Sequence, residues 1–317
     1  MTTPQPLPGD TEQSRSLQVF DAHRGLLIGV AYRLLGSLAD AEDIVQETWL
    51  RWASVDLRTV DNPRAFLVRI TTRLGLDRLR RIKARREEYL GQWLPEPVLT
   101  APDSAADVEW AESISLALLV VLETLSPLER AVFVLREAFD FSHAEVAEML
   151  GRTEVTVRQL AARARAHVQA RKPRFETDRS VRTRVTERFL SACSTGDVAN
   201  LLGVLAPGVT LINDGGGQQP SARKVVEGAS AVSSFLMSIS RGATIARFLG
   251  LRQGQPLPSV RSVVTDMNGG PGAVVYAGER VLCALLLDIA DDAVQVVFLI
   301  SNPAKLRRLS SGDVHMQ

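Results

Sequence analysis

Cysteine and histidine are scarce in this chain and neither clusters. Cys193 and Cys283 stand far apart, and His23, His143, His167 and His315 are equally scattered, so no metal-ligand or redox spacing exists. A structural metal, a disulfide framework and a cofactor held by such residues are thereby excluded as organising principles, and no cofactor or metal site is expected. Long apolar runs are missing too, and the start, MTTPQPLPGD, lacks the basic residues and apolar core of a secretion signal. The expectation is a soluble, cytoplasmic protein without membrane contact. Net charge is almost absent, at +1 over 317 residues, so any binding of nucleic acid requires the basic residues to be segregated.

They are segregated. Arg64 to Arg86 holds nine Lys or Arg against one acid, Asp77, and Arg152 to Arg174 holds seven against Glu154 alone, while Gly91 to Glu112 has five acids and no base. Two basic blocks around an acidic spacer suit two contacts on one polyanion.

The second block lies in LSPLERAVFVLREAFDFSHAEVAEMLGRTEVTVRQLAARARAHV, Leu125 to Val168. Ser126, Pro127 and Glu129 form a capping box with proline at the first helical position, and Ser142 with Glu145 repeats the box. Gly151 ends that helix and Thr153 opens the next, which makes a helix-turn-helix. Val157, Leu160, Ala161, Ala164 and Val168 share an inward face, leaving Thr153, Glu154, Arg158, Gln159, Ala162 and Arg163 outward. Short side chains and guanidinium groups suit a major groove. A plain helical hairpin with a solvated arginine face shares this pattern.

Before this, residues 1–16 are rich in Pro, Thr, Gln and Gly and read as disordered. A first helix follows through Leu27, Val30, Ala31 and Leu34 to a stop at Gly36. Ser37 begins a second, in which Ala41, Ile44, Val45, Thr48, Trp49 and Trp52 face inward and Asp40, Asp43, Gln46 and Glu47 form an acidic outer face, fit for a protein partner. Ala53 to Asp61 reads as a loop. Asn62 and Pro63 then cap and start a long helix with Phe66, Leu67, Ile70, Leu74 and Leu79 inward and Arg64, Arg69, Arg73, Arg80 and Arg81 on the surface, where they can hold a DNA backbone.

DAEDIVQETWLRW, NPRAFLVRITTRLGLDRLRR and the Leu125 to Val168 stretch, in this order and spacing, resemble the bacterial extracytoplasmic-function sigma factors. The resemblance covers Leu17 to about Lys172. It implies that the acidic helix docks on core RNA polymerase, that the loop before Asn62 and the basic helix melt and read the minus-ten element, and that the helix-turn-helix reads the minus-thirty-five element. The linker YLGQWLPEPVLT carries Trp93, Leu94, Pro95, Glu96 and Pro97, which cannot continue a helix and should be extended. This WLPEP run is similar to that of the sigma-factor-J-like group, whose members carry a fused SnoaL-like domain.

The rest of the chain changes character after KPRFETDRS. Val181, Val185, Phe189 and Ala192 mark a helix broken at Gly196 and Asp197, and VTLIND marks a strand into Gly215, Gly216 and Gly217. Val232, Phe235, Leu236 and Ile239 mark another helix. Strands are expected near Thr244–Leu251, Val260–Thr265, Ala273–Tyr276, Val281–Ile289 and Val294–Ile300. Helices followed by strands joined by short turns suggest a curved antiparallel sheet packed on helices, which is similar to the SnoaL-like cone. The expected fold class is therefore multidomain: two all-α DNA-binding helical domains, the second a helix-turn-helix, and a C-terminal α+β domain that the resemblance implies is a SnoaL-like cone. The bounds are 1–16, 17–88 (sigma region 2), 89–112 (linker), 113–173 (sigma region 4) and 179–309 (cone).

Two further motifs are similar to signatures of the same group, DGGG at Asp214 to Gly217 and NPAKL from Asn302 and Pro303 to Leu306. The chain departs from the usual forms at Gln218, where lysine is common, and Ala304, where aspartate is common. Through the resemblance, these residues imply an intramolecular contact between the cone and the linker. A cone also leaves room for a small-molecule ligand. Cones of this kind include cyclases and isomerases with a buried acid, for which Asp214, Asp266 and Tyr276 are the candidates, but within this last domain no histidine precedes His315 and no enzyme is expected. The alternative is a helix-turn-helix transcription regulator with a ligand-binding or cyclase-like C-terminal domain.

Overall fold

The computed structural model describes residues 8–86, 91–100, 115–171, 178–217 and 224–310. Expectations for residues 1–7, for the acidic spacer beyond Thr100, for the basic exit at 172–177, and for Gln218 and His315 lie outside the described residues. The chain forms two compact units, Met1–Arg85 with Leu118–Arg171, and Arg86–Ala117 with Lys172–Gln317.

The first unit is helical. It contains α1 (Pro8–Leu35), α2 (Leu38–Trp52), α3 (Pro63–Arg86), α4 (Leu116–Glu123), α5 (Pro127–Phe133), α6 (His143–Leu150) and α7 (Glu154–Gln169). From Pro8 to Ser16 the expected disorder is corrected, because α1 already runs from Pro8. Tertiary packing overrides the polar composition there: the Ser16 carbonyl accepts from Trp52 Nε1 at 2.9 Å, and Phe20 meets the edge of Trp49 with centroids 5.1 Å apart. In α2, Ala41, Ile44, Val45, Thr48 and Trp52 are buried as the spacing predicts. The loop from Ala53 to Asp61 contains one 3₁₀ turn, Leu57–Thr59, capped by Asp56.

Local chemistry starts and stops the last three helices. Both capping boxes form, Ser126 with Glu129 and Ser142 with Glu145. In each, the serine hydroxyl first and its backbone N–H second hydrogen-bond the carboxylate, which holds both glutamates below their usual carboxylate range. Gly151 closes α6 at φ +61°, where an L side chain would be strained, and Thr153 caps α7. A π-helical turn, Val134–Ala138, follows α5 and was not expected.

The second unit is α+β, with α8 (Arg179–Thr195), α9 (Val198–Val204), β1 (Leu205–Asp214), β2 (Val226–Glu227), α10 (Ala229–Ile239), α11 (Gly242–Leu249), β3 (Val260–Met267), β4 (Gly270–Ala277), β5 (Arg280–Ala290), β6 (Ala293–Ile300) and α12 (Pro303–Leu306). The sheet order is β2-β1-β6-β5-β4-β3. The β3–β4, β4–β5 and β5–β6 pairs are antiparallel, whereas β1 runs parallel to β6. Helices α8 and α10 bury Phe189, Val232 and Leu236 against Leu211, Leu285 and Val297 of the sheet.

One expected strand is overturned. Thr244–Leu251 lies mostly in helix α11, which Gly250 ends in the left-handed conformation. Ile245, Phe248 and Leu249 stand at helical spacing, and the period of two needed for a strand is missing.

Candidate functional site

Four groups of candidate residues lie on these elements. On α2, Asp43, Gln46 and Glu47 are exposed and Asp40 is half-buried. Asp40 Oδ1 accepts from Arg78 Nη2 at 2.5 Å, and this bond raises the Arg78 pKa. Glu47 pairs with Arg51 at 2.6 Å. The same face carries Leu50, which is 67% exposed and which helical spacing alone did not single out.

On α3, Asn62 caps the helix by accepting from Ala65 N at 3.0 Å. The arginines line the surface of the helix as expected, Arg64, Arg73, Arg80 and Arg81 exposed and Arg69 half-buried, and three of them also hold partners on neighbouring elements. Arg64 donates to the Phe139 carbonyl at 3.1 Å and covers the Phe141 ring at 4.2 Å, Arg73 donates to the Met149 carbonyl at 3.0 Å, and Arg69 lies 3.5 Å from Glu148. The turn between α5 and α6 offers two aromatic rings and free carbonyls, which a row of guanidinium groups satisfies. Arg80 pairs with Asp77 at 2.8 Å, and Arg81 is exposed.

The joint between these helices is buried. Arg130 is fully buried, donating to the Arg33 carbonyl at 2.8 Å and to Glu123 at 2.5 Å. Burial depresses the Arg33 guanidinium to about 10. Lys83 adds a bond to the Leu125 carbonyl at 2.7 Å.

On α7 the inward stripe Val157, Leu160, Ala161, Ala164 and Val168 is buried as expected. Thr153, Arg158, Gln159, Ala162 and Arg163 are exposed, together with Val155, while Glu154 is half-buried and pairs with Arg158 at 2.6 Å. Arg163 lies 3.2 Å from Glu129, the acid of the first capping box.

The fourth group joins linker to cone. Leu94, Pro95, Glu96 and Pro97 are buried and Trp93 is half-buried. Asp214, fully buried at the end of β1, accepts from Leu94 N at 2.9 Å and from Lys305 Nζ at 2.5 Å. Lys305 also donates to the Leu94 carbonyl and stands 3.9 Å from the centroid of the Trp93 ring. Asn268 Oδ1 accepts from Val98 N at 3.1 Å, and Asn268 N donates to the Val98 carbonyl at 2.9 Å. Leu99 forms an isolated antiparallel bridge with Met267, so the linker lies against the end of β3, an edge of the sheet.

The two loop motifs meet at this clamp. A Cβ on Gly216 would stand 2.7 Å from the Asn302 side chain, so the glycine serves both its φ of +70° and this contact. Asn302 accepts from Ala304 N at 3.1 Å and opens α12 with Pro303 as its first residue. That cap needs only the backbone of residue 304, so the alanine leaves it intact. Gly215 is buried and Gly217 exposed. Sequence reasoning did not select Asn268 or Lys305 as site residues, although Lys305 lies inside the NPAKL motif.

The cone also holds a cavity of about 460 Å³ between α8, α10, α11 and the sheet. Asp214, Asp266 and Tyr276 are absent from its lining among the described residues. Asp214 serves the clamp, Asp266 pairs with Arg179, and Tyr276 donates to the Leu309 carbonyl at 3.4 Å.

Known proteins agree with this arrangement. Residues 19–86 match the family described as Sigma-70 region 2, and residues 115–168 match Sigma-70, region 4. The chain is 46% identical over 224 residues to the ECF RNA polymerase sigma factor SigJ of Mycobacterium tuberculosis, covering 69% of this chain and 72% of that one. It is 31% identical over 290 residues to a second chain of that organism, named "Probable ECF RNA polymerase sigma factor SigI", covering 90% and 92%. The crystal structure of the M. tuberculosis extracytoplasmic function sigma factor SigJ matches with a TM-score of 0.71 at 34% identity, over 92% of this chain and 98% of that chain. Helical sigma domains followed by a C-terminal α+β domain are thus found as expected. Among the described residues no helix is long and apolar enough to cross a membrane.

Proposed function

Because the chain belongs to the extracytoplasmic-function RNA polymerase sigma factors, in the group with a fused SnoaL-like domain, we propose that it directs core polymerase to one promoter class under control of its own C-terminal domain. Asp40, Asp43, Gln46 and Glu47, with Leu50 among them, form the polymerase-docking face. The 53–61 loop and α3 melt and read the minus-ten element through Asn62, Arg64, Arg69, Arg73, Arg80 and Arg81. Helix α7 reads the minus-thirty-five element through Thr153, Glu154, Arg158, Gln159 and Arg163. This work is done beside the polymerase, in the cytoplasm.

The observation that carries the regulatory half is the clamp of Asp214, Lys305 and Asn268 on residues 93–100. These residues belong to the segment that connects region 2 to region 4. Whatever strengthens or weakens the clamp changes how freely the two DNA-reading regions separate. No reaction is assigned to the cone, since its three candidate acid/base residues are committed to structural partners.

Run-off transcription with core polymerase tests this reading, comparing the full chain with a form ending at Arg179. Initiation by both, at different strengths, is expected. If neither initiates while the full chain binds duplex DNA by itself, the chain is a helix-turn-helix regulator of another kind. Asp43→Arg with Glu47→Arg is expected to weaken core binding, and an unchanged affinity refutes the docking face.

A further inference from the structure

The wall of the cone's cavity is mostly aliphatic, with Leu190, Leu236, Leu285 and Leu299 inside, and Leu257 and Val260, each nearly half exposed, beside its opening. Its volume of about 460 Å³ falls within the range of roughly 300–1,000 Å³ that small-molecule sites occupy. Among the described residues the lining holds no Asp, Glu, His or Tyr, and its arginine, Arg261, is exposed with its guanidinium 4.2 Å over the Tyr276 ring. A charged ligand would find no counter-charge in the interior.

Two buried polar side chains stand in this apolar wall. Asn213 is 3% exposed and Ser301 is 7% exposed. Among the described residues the Asn213 carboxamide makes one contact, with Ser301 Oγ at 3.5 Å, the long limit for a hydrogen bond. A carboxamide can make several, and leaving that capacity unused where water is scarce is costly. The pair is therefore suited to receive one polar group of an otherwise apolar molecule.

The same two residues adjoin the linker clamp. Asn213 precedes Asp214 on β1, Ser301 precedes Asn302 after β6, and Ser301 N donates to the Asp214 carbonyl at 2.8 Å. We propose that the cavity binds a neutral, largely apolar small molecule whose single hydrogen-bonding group, a carbonyl, a hydroxyl or an N–H, seats on Asn213 and Ser301, and that its binding tightens the grip of Asp214 and Lys305 on Trp93 and Leu94. A bound molecule that fixes Asn213 and Ser301 reduces the motion of their neighbours, so the clamp opens less often. The regulatory meaning of that tightening rests on the linker reading above, whereas the binding does not.

The test uses the full chain and N-phenyl-1-naphthylamine, a neutral fluorescent probe with one N–H. A saturable fluorescence rise is expected, weakened about tenfold by filling the cavity with Ile239→Trp or, as a second variant, Leu282→Phe, with circular dichroism unchanged. At saturation, amide exchange in residues 91–98 is expected to slow by about threefold. No saturable rise, or an equal rise in both filled variants, overturns the binding. A rise that the filled variants abolish, with exchange unchanged, overturns the coupling. Run-off transcription by Asp214→Asn without probe separates the linker reading: unaltered output refutes that reading and leaves the binding standing.

Discussion

Lys305 Nζ stands 2.5 Å from Asp214 Oδ2, a pair almost wholly removed from water. Desolvation of both charges makes the pair conditional, since removal of either partner leaves the other buried and uncompensated. Asp214→Asn or Lys305→Met alone should cost the second unit about 3–5 kcal/mol, and the double variant should cost less than either. Thermal unfolding of the three variants checks this. Additive losses would show that the two side chains act separately.

Gly216 depends on Asn302 in a different way. Gly216→Ala forces a side chain into the left-handed region, worth about 1–2 kcal/mol, and drives its Cβ against the Asn302 side chain. Asn302→Gly in the same chain should relieve the collision while the backbone strain persists. Chemical denaturation of both forms reads the difference, and no recovery in the double variant would mean that Asn302 does not crowd this site.

What was legible in the sequence was local chemistry. Ser126, Ser142, Gly151, Thr153 and Asn62 fixed helix ends because each acts on backbone within a few residues. What was not legible was partnership at long range. Nothing near Arg64 announces Phe139 or Phe141, and nothing near Leu94 announces Asp214 or Lys305, because those contacts exist only once the chain has folded. Residues 8–16 differ for the same reason, since their helix rests on contacts such as that of Trp52 Nε1 with the Ser16 carbonyl. The helical spacing of Ile245, Phe248 and Leu249, by contrast, is itself present in the sequence.

Arg64 and Phe141 make a further prediction. If Arg64 binds the minus-ten strand as proposed, its place over the Phe141 ring has to be given up for DNA, and the contact then competes with minus-ten binding. Phe141→Leu keeps an apolar side chain and removes the ring quadrupole. Affinity of the isolated full chain for a single-stranded minus-ten oligonucleotide should rise by about threefold. Fluorescence anisotropy measures this, and an unchanged affinity would show that the closed contact does not limit access.

Cys193 and Cys283 predict the alkaline behaviour of the cone. Both line the cavity, and burial pushes each thiol up from 9.0 to about 12, with Cys193 adding to the rise at Cys283. The sign follows from which form the folded state favours. Folding keeps these thiols protonated, so between the two values the native state binds more protons than the unfolded chain, and stability falls as pH rises. The contribution is fully present below pH 9 and lost progressively from there to about 12. Thermal melts of the full chain across pH 8 to roughly 10.5 should therefore decline more steeply than those of the Cys193→Ala, Cys283→Ala double variant. Iodoacetamide should alkylate the native thiols more slowly at pH 8 than the unfolded ones, because the thiolate is the reacting form. Parallel melting slopes in the two proteins, or native labelling as fast as unfolded, would mean that the cavity wall leaves these thiols in contact with water.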